Sequence, residues 1–283
     1  MKLLAEHACW GGTQRFLEHD SIECAGPMRF AVYEPPQTKL GPVPVLYYLA
    51  GLTCSEETFA IKAGAQRFAA EHGLMLVAPD TSPRAPRLPG DDASWDFGLA
   101  AGFYVDATQA PWSAHYRMYS YVTRELPELI AREFNAADVT RQSIMGHSMG
   151  GHGALVCALR NPLQYRSVSA FAPIVAPSQV PWGHKALGNY LGPNRDEWLA
   201  YDATHLVQQA PRADTILIDQ GLGDKFLAEQ LRPGLFEDAC VGSGQKLQLR
   251  RHADYDHGYY FIQTFMAEHV QWHAAALQKK SHV

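Results

Sequence analysis

Short apolar runs alternate along the chain with longer helix-like segments. Strand-like runs fall at 28–34, 43–50, 74–78, 141–145, 167–171, 215–219 and 246–250. Between them, helices are expected over 60–72, 118–134 and 151–160, and a closing helix over 259–277. Pro35-Pro36 and Gly41-Pro42 bracket a surface turn between the first two strands. This alternation predicts an α/β fold: a mostly parallel central sheet with helices on both faces. Two stretches interrupt the rhythm, 81–114 and 173–211, both rich in Pro, Gly, Trp and Tyr. Loops of that length inside a compact domain usually carry function. With no repeat, low-complexity tract or dividing linker, residues 1–283 are expected to form a single domain bearing those two insertions.

Composition narrows the function classes. At 47% hydrophobic and 19% charged residues the chain is ordinary for a globular protein. A formal net charge of −5 without any Lys/Arg run argues against a nucleic-acid partner. The longest apolar stretch is far too short to span a membrane, and the first residues lack the apolar core of a secretory signal. Five widely spaced cysteines (Cys9, Cys24, Cys54, Cys157, Cys240) form neither a disulfide framework nor a zinc motif, so a cytoplasmic location is expected.

The chemistry is carried by Gly146-His147-Ser148-Met149-Gly150, a G-x-S-x-G pattern lying between a strand and an Ala- and Leu-rich helix. In that context it reads as a nucleophile elbow, a sharp turn that lifts the serine Oγ above the sheet edge. A serine needs a base to take its proton, and the base needs a third group to fix its tautomer. The expected chain order is serine, acid, histidine. Asp224, just past the strand at 215–219, is the preferred acid; Asp219, Asp254 and Asp256 remain open alternatives. His257, in the loop after 246–250, is the preferred base, with His252 as its competitor. The oxyanion hole is expected from the backbone N–H groups of Met149 and Leu52, the latter in the Ala50-Gly51-Leu52-Thr53-Cys54 loop.

Other signals are weaker. His269 and His273 stand four apart on a helix, but without the intervening glutamate of a metalloprotease motif, and no metal site is expected. Gly221 and Gly223 lack a third glycine at position 226, and no G-K-[ST] is present, so nucleotide binding is not indicated. His147 and His152 flank the elbow and read as packing or hydrogen-bonding groups beneath the site. Cys54 is either a reactive thiol or simply a small loop residue.

The most specific stretches are Leu49 to Cys54, Ala78-Pro79-Asp80-Thr81-Ser82-Pro83-Arg84, Ser94-Trp95-Asp96-Phe97-Gly98, Gly102 to Ala107 and Gly146 to Gly153. Pro181-Trp182-Gly183, Asp224-Lys225-Phe226 and Tyr255-Asp256-His257 continue the pattern. Through them the chain resembles, nearly end to end, the S-formylglutathione hydrolase (esterase D) family of the α/β-hydrolase superfamily. The resemblance implies a Ser148–Asp224–His257 triad, a hole at Leu52 and Met149, no cofactor beyond the glutathione of the substrate, and a homodimer. It also implies hydrolysis of S-formylglutathione to formate and glutathione, a step of formaldehyde detoxification. Two departures stand out: Gly258 replaces a common serine, and Ala85-Pro86 follows Arg84 where a glycine is usual.

Substrate contacts are expected from Cys54, Trp95, Trp182 and Lys185. Phe97 and Tyr104 are further candidates for closing a small acyl pocket, and Lys62, Arg84 and Arg87 for meeting glutathione carboxylates. Alternative functions are a broad carboxylesterase, an acyltransferase, and an inactive scaffold on a hydrolase fold. An intact triad argues against the last.

Overall fold

The computed structural model describes residues 1–85 and 87–278. Its nine strands form one sheet: β1 (Lys2–Cys9), β2 (Gly12–Ser21), β3 (Gly26–Glu34), β4 (Val43–Leu49), β5 (Met75–Pro79), β6 (Ala137–His147), β7 (Val168–Phe171), β8 (Ile216–Gly221) and β9 (Leu247–His252). The order across the sheet is β1-β2-β3-β5-β4-β6-β7-β8-β9. From β5 to β9 all neighbours are parallel, whereas β1, β2 and β3 pair antiparallel and join at β5. Every residue of β4 and β5 is buried, the signature of strands covered on both faces. This is the α/β-hydrolase arrangement expected from the sequence.

The helices are α1 (Glu56–Lys62), α2 (Ala65–His72), α3 (Met118–Ser120), α4 (Leu126–Glu133), α5 (Met149–Arg160), α6 (Pro181–Leu191), α7 (Arg195–Trp198), α8 (Ala203–Gln209), α9 (Pro233–Ser243) and α10 (Tyr259–Gln278). None of the described helices is long and apolar enough to cross a membrane.

Several boundaries differ from the sequence expectation for local reasons. The helix expected over 60–72 is two helices, because Gly64 adopts a left-handed φ of 65° between them. The first begins earlier, where Ser55 and Thr58 form a capping box. The helix expected over 118–134 widens into a π-type turn at residues 121–125, next to Pro127, which has no N–H to donate. The stretch 173–211 is no plain loop: it contains α6, α7 and α8. Gly183 and Gly188 within α6 mask its helical character. The hairpin of β1 and β2 is an addition to the expected elements; most of β1 is exposed and shows no buried face.

Candidate active site

β6 ends at His147 and α5 starts at Met149, leaving Ser148 alone in the turn. Its backbone sits at φ 57°, ψ −118°, a conformation that costs on the order of 1–3 kcal/mol for a non-glycine residue. Surrounding contacts hold it there. Ser148 N donates to Phe171 O at the end of β7 (2.9 Å), and Ile174 N donates to Ser148 O (3.3 Å). The flanking glycines are steric necessities: a Cβ on Gly150 would lie 1.9 Å from Leu49 O, and one on Gly146 would lie 2.1 Å from Gly150 O. Met149 is the first residue of α5, so its N–H has no acceptor within the helix. The loop after β4 climbs beside the serine, and a Cβ on Gly51 would come within 3.1 Å of Ser148 Cβ.

Asp224 stands three residues past β8 with its side chain fully buried. Its carboxylate accepts from Phe226 N (2.8 Å), from Gln220 Nε2 (3.4 Å) and from His257 Nδ1 (2.5 Å). With Nδ1 occupied in this way, Nε2 is the ring nitrogen of His257 left to receive a proton.

Ser148 and His257 line one cleft of about 370 Å³, together with Gly51, Leu52, Thr53, Trp95, His147, Trp182, Lys225 and Phe226. One wall is a run of rings in contact. Trp95 meets Trp182 edge-on (5.6 Å between centroids), Trp182 meets Phe226 (4.7 Å), and Phe226 meets His257 edge-on (5.1 Å). His147 packs on the same His257, and burial holds its imidazole neutral, well below the usual histidine range. His152 donates from Nε2 to Phe103 O (2.9 Å); burial lowers its pKa to about 4.

A nucleophile elbow and a buried carboxylate–imidazole pair facing one cleft point to a serine hydrolase. Comparison with known proteins decides the family. The family model described as "Putative esterase" matches residues 21–274. The mouse (Mus musculus) S-formylglutathione hydrolase is 54% identical over 98% of this chain and 99% of its own length. The rat (Rattus norvegicus) enzyme is 53% identical with the same coverage. The chain belongs to the S-formylglutathione hydrolase family of esterases. A solved structure of the family's Agrobacterium tumefaciens member is similar throughout, with a TM-score of 0.95 at 51% identity, covering 98% of this chain and all of that one.

Some of the residues expected from the sequence fall in the cleft and others do not. Ser148, His257, Leu52, Trp95 and Trp182 all line it, and Asp224 lies directly behind His257. Lys185 does not line it and is tied to Asp96 and to Ser94 Oγ. Cys54 lies outside the lining, and burial pushes its thiol up, away from the reactive thiolate. Tyr104 donates to Ala50 O (2.9 Å) and Phe97 packs on Trp112 and Tyr190; neither reaches the cleft. Arg84 pairs with Asp80, and Arg87 with Asp91 and Asp92. Lys62 belongs to a separate cavity with Tyr259 and Tyr260. Pro86 lies outside the described residues.

Of the alternative acids and bases, Asp219 and His252 lie together in a separate polar network. Asp219, wholly buried in β8, accepts from Arg250 (2.5 and 2.6 Å) and lies 3.4 Å from His252 Nε2 and 3.3 Å from His269 Nε2. His273 continues this buried polar network through Ser167 and Ser169 (2.8 Å each). The spacing of His269 and His273 therefore serves packing of α10 on the sheet. Among the described residues no cluster of three or more His, Cys, Asp or Glu side chains could hold a metal ion.

Lys225, Phe226 and Thr53 also line the cleft, although none is among the substrate contacts expected from the sequence. The available signals were their proximity to the acid and to the hole and their place in the stretches Leu49 to Cys54 and Asp224-Lys225-Phe226. A slightly larger cavity, about 420 Å³, opens beside Arg84, Asp80 and Glu56, but contains none of Ser148, Asp224 and His257.

Proposed function

We propose that this protein hydrolyses S-formylglutathione to formate and glutathione, as the names of its relatives state for them. The observation that carries the reading is the Asp224–His257 bond of 2.5 Å beside the strained Ser148 elbow, in one cleft with Leu52. His257 Nε2 takes the proton from Ser148 Oγ, which attacks the formyl carbon. The resulting oxyanion is held by the N–H groups of Leu52 and Met149. Collapse breaks the carbon–sulfur bond. Because a thiol of pKa near 8.5 leaves readily as thiolate, this step needs little acid assistance. His257 then deprotonates a water that attacks the formyl-enzyme, and formate departs with regeneration of Ser148. No cofactor enters these steps.

Specificity on this reading comes from two walls. Trp95, Trp182 and Phe226 leave room for a small acyl group. Lys225, the cleft cation with no carboxylate partner among the described residues, meets a carboxylate of the glutathione moiety. A broad carboxylesterase is the second reading, favoured by the mostly apolar ring wall. The single-domain organisation is supported by the membership of all nine strands in one sheet. Cytoplasmic residence, and with it a place in formaldehyde detoxification, is supported by five unpaired cysteines. Assembly as a homodimer is supported by the exposed sheet edge at β1.

Equimolar release of formate and free thiol from S-formylglutathione, abolished in Ser148→Ala, is the expected result. Turnover undiminished in that variant overturns the assignment of the nucleophile.

A further inference from the structure

Leu52, the proposed hole donor, is followed by a residue in an unfavourable backbone conformation. Thr53 has φ 67°, in the left-handed region that a β-branched side chain rarely enters. Such a conformation persists only where its surroundings over-determine it. Here the surroundings come from the segment after β5, the strand next to β4 in the sheet.

Cys54 O, immediately after Thr53, accepts two hydrogen bonds, from Thr81 Oγ1 (2.6 Å) and from Arg84 Nη2 (2.9 Å). Arg84 is itself fixed by a two-point pair with the buried Asp80: Nε to Oδ2 at 2.8 Å and Nη2 to Oδ1 at 2.7 Å. Asp80 Oδ1 also accepts from Thr81 N (2.7 Å), so one carboxylate orients both donors. A parallel link runs through Ser82, whose Oγ accepts from Ala100 N (2.8 Å), while Ala100 O accepts from Thr53 N (3.0 Å). The turn at 52–54 is thus gripped on both sides of its strained residue.

We propose that Asp80 and Arg84 are positioning residues of the oxyanion hole, holding the 52–54 turn so that the Leu52 N–H faces the developing charge. The inference rests on the reading of Leu52 as a hole donor. It gives Arg84 a role different from glutathione contact, and the two are separable. An oxyanion forms with any acyl substrate, whereas glutathione contacts matter only to the thioester.

The test compares Arg84→Ala and Arg84→Lys with wild type on S-formylglutathione and on p-nitrophenyl acetate. The inhibition constant of a small trifluoromethyl ketone, a mimic of the tetrahedral adduct, is measured alongside. Arg84→Ala is expected to lower kcat by about ten- to hundredfold on both substrates, less than outright loss of a donor, with KM changed little. Ketone affinity should fall in parallel. The Arg84 side chain is 42% exposed, and its cavity shares no lining residue with the catalytic cleft. Added guanidinium ion should therefore restore part of the lost kcat without competing with substrate.

If Arg84→Ala does not fold, Arg84→Lys decides, since an ammonium cannot reproduce the planar two-point pair. Unchanged kcat and ketone affinity in the folded variant, or a loss confined to the thioester, overturns the proposal. If the ketone binds wild type no more tightly than substrate does, the hole reading itself fails, which is a different result.

Discussion

The imidazole of His147 packs against the imidazole of His257, with centroids 4.5 Å apart and planes inclined by 46°. One ring is held by Asp224 and, in the proposed mechanism, takes up and passes on the serine proton. The other is buried and stays neutral. The contact gives His257 a firm wall without adding a second positive charge beside the imidazolium. His147→Ala is expected to lower kcat by roughly ten- to hundredfold through misplacement of the base, with a smaller change in KM. Steady-state kinetics on the folded variant check this.

Asp224→Asn removes the acceptor that fixes the His257 tautomer. By analogy with serine proteases, kcat should fall on the order of 10⁴-fold while the fold persists. A variant within tenfold of wild type shows that another carboxylate serves as the acid. Asp219→Asn tests the rival directly and is expected to affect stability more than turnover, because its partners are Arg250, His252 and His269.

Lys225→Glu places a negative charge where an anionic substrate is expected to enter, on a chain already at net charge −5. kcat/KM for S-formylglutathione should drop by about tenfold at low ionic strength, chiefly through KM, and the difference should shrink with added salt. The neutral ester p-nitrophenyl acetate should change by less than about twofold. Equal effects on both substrates would show that Lys225 does not read charge.

Acid stability depends on several buried groups, among them His147, His273, His152 and Asp219. Burial lowers His152 to about 4, below the ordinary 6.5, so the unfolded chain takes up the proton first. Its contribution is fully present above pH 6.5 and is lost as pH falls toward 4, roughly 3 kcal/mol in all. Burial alone would raise the Asp219 carboxyl, but His269 and Arg250 outweigh it and draw it down to about 2. That stabilisation is present above the unfolded value near 3.9 and vanishes as pH falls through about 2. Denaturant melts at pH 7.5, 6 and 5 should show stability declining with acidification, and His152→Gln should flatten the decline.

What was legible in the sequence was what depends on local pattern. The apolar runs at 43–50 and 74–78 lie on β4 and β5 because both faces of these strands are covered, and the elbow glycines mark themselves by steric need. Exposed β1 and the glycine-bearing α6 left no such periodic trace. In the site, the elbow pattern marked Ser148, and order along the chain made Asp224 and His257 the preferred partners while leaving Asp219, Asp254, Asp256 and His252 open. The grip of Arg84 on Cys54 O was invisible, because it joins residues 30 apart through a backbone carbonyl that any side chain would have supplied. Lys185, expected to meet substrate, is paired with Asp96 instead, and the cation lining the cleft is Lys225, which no local pattern in the sequence distinguishes from it.

The most direct test is kcat/KM for S-formylglutathione beside p-nitrophenyl acetate, with Ser148→Ala as the blank. A preference for the thioester of about a hundredfold or more, roughly 2.7 kcal/mol of differential transition-state binding, is the predicted result. Equal rates, or a preference for the oxygen ester, would contradict S-formylglutathione as the substrate for which this cleft is built.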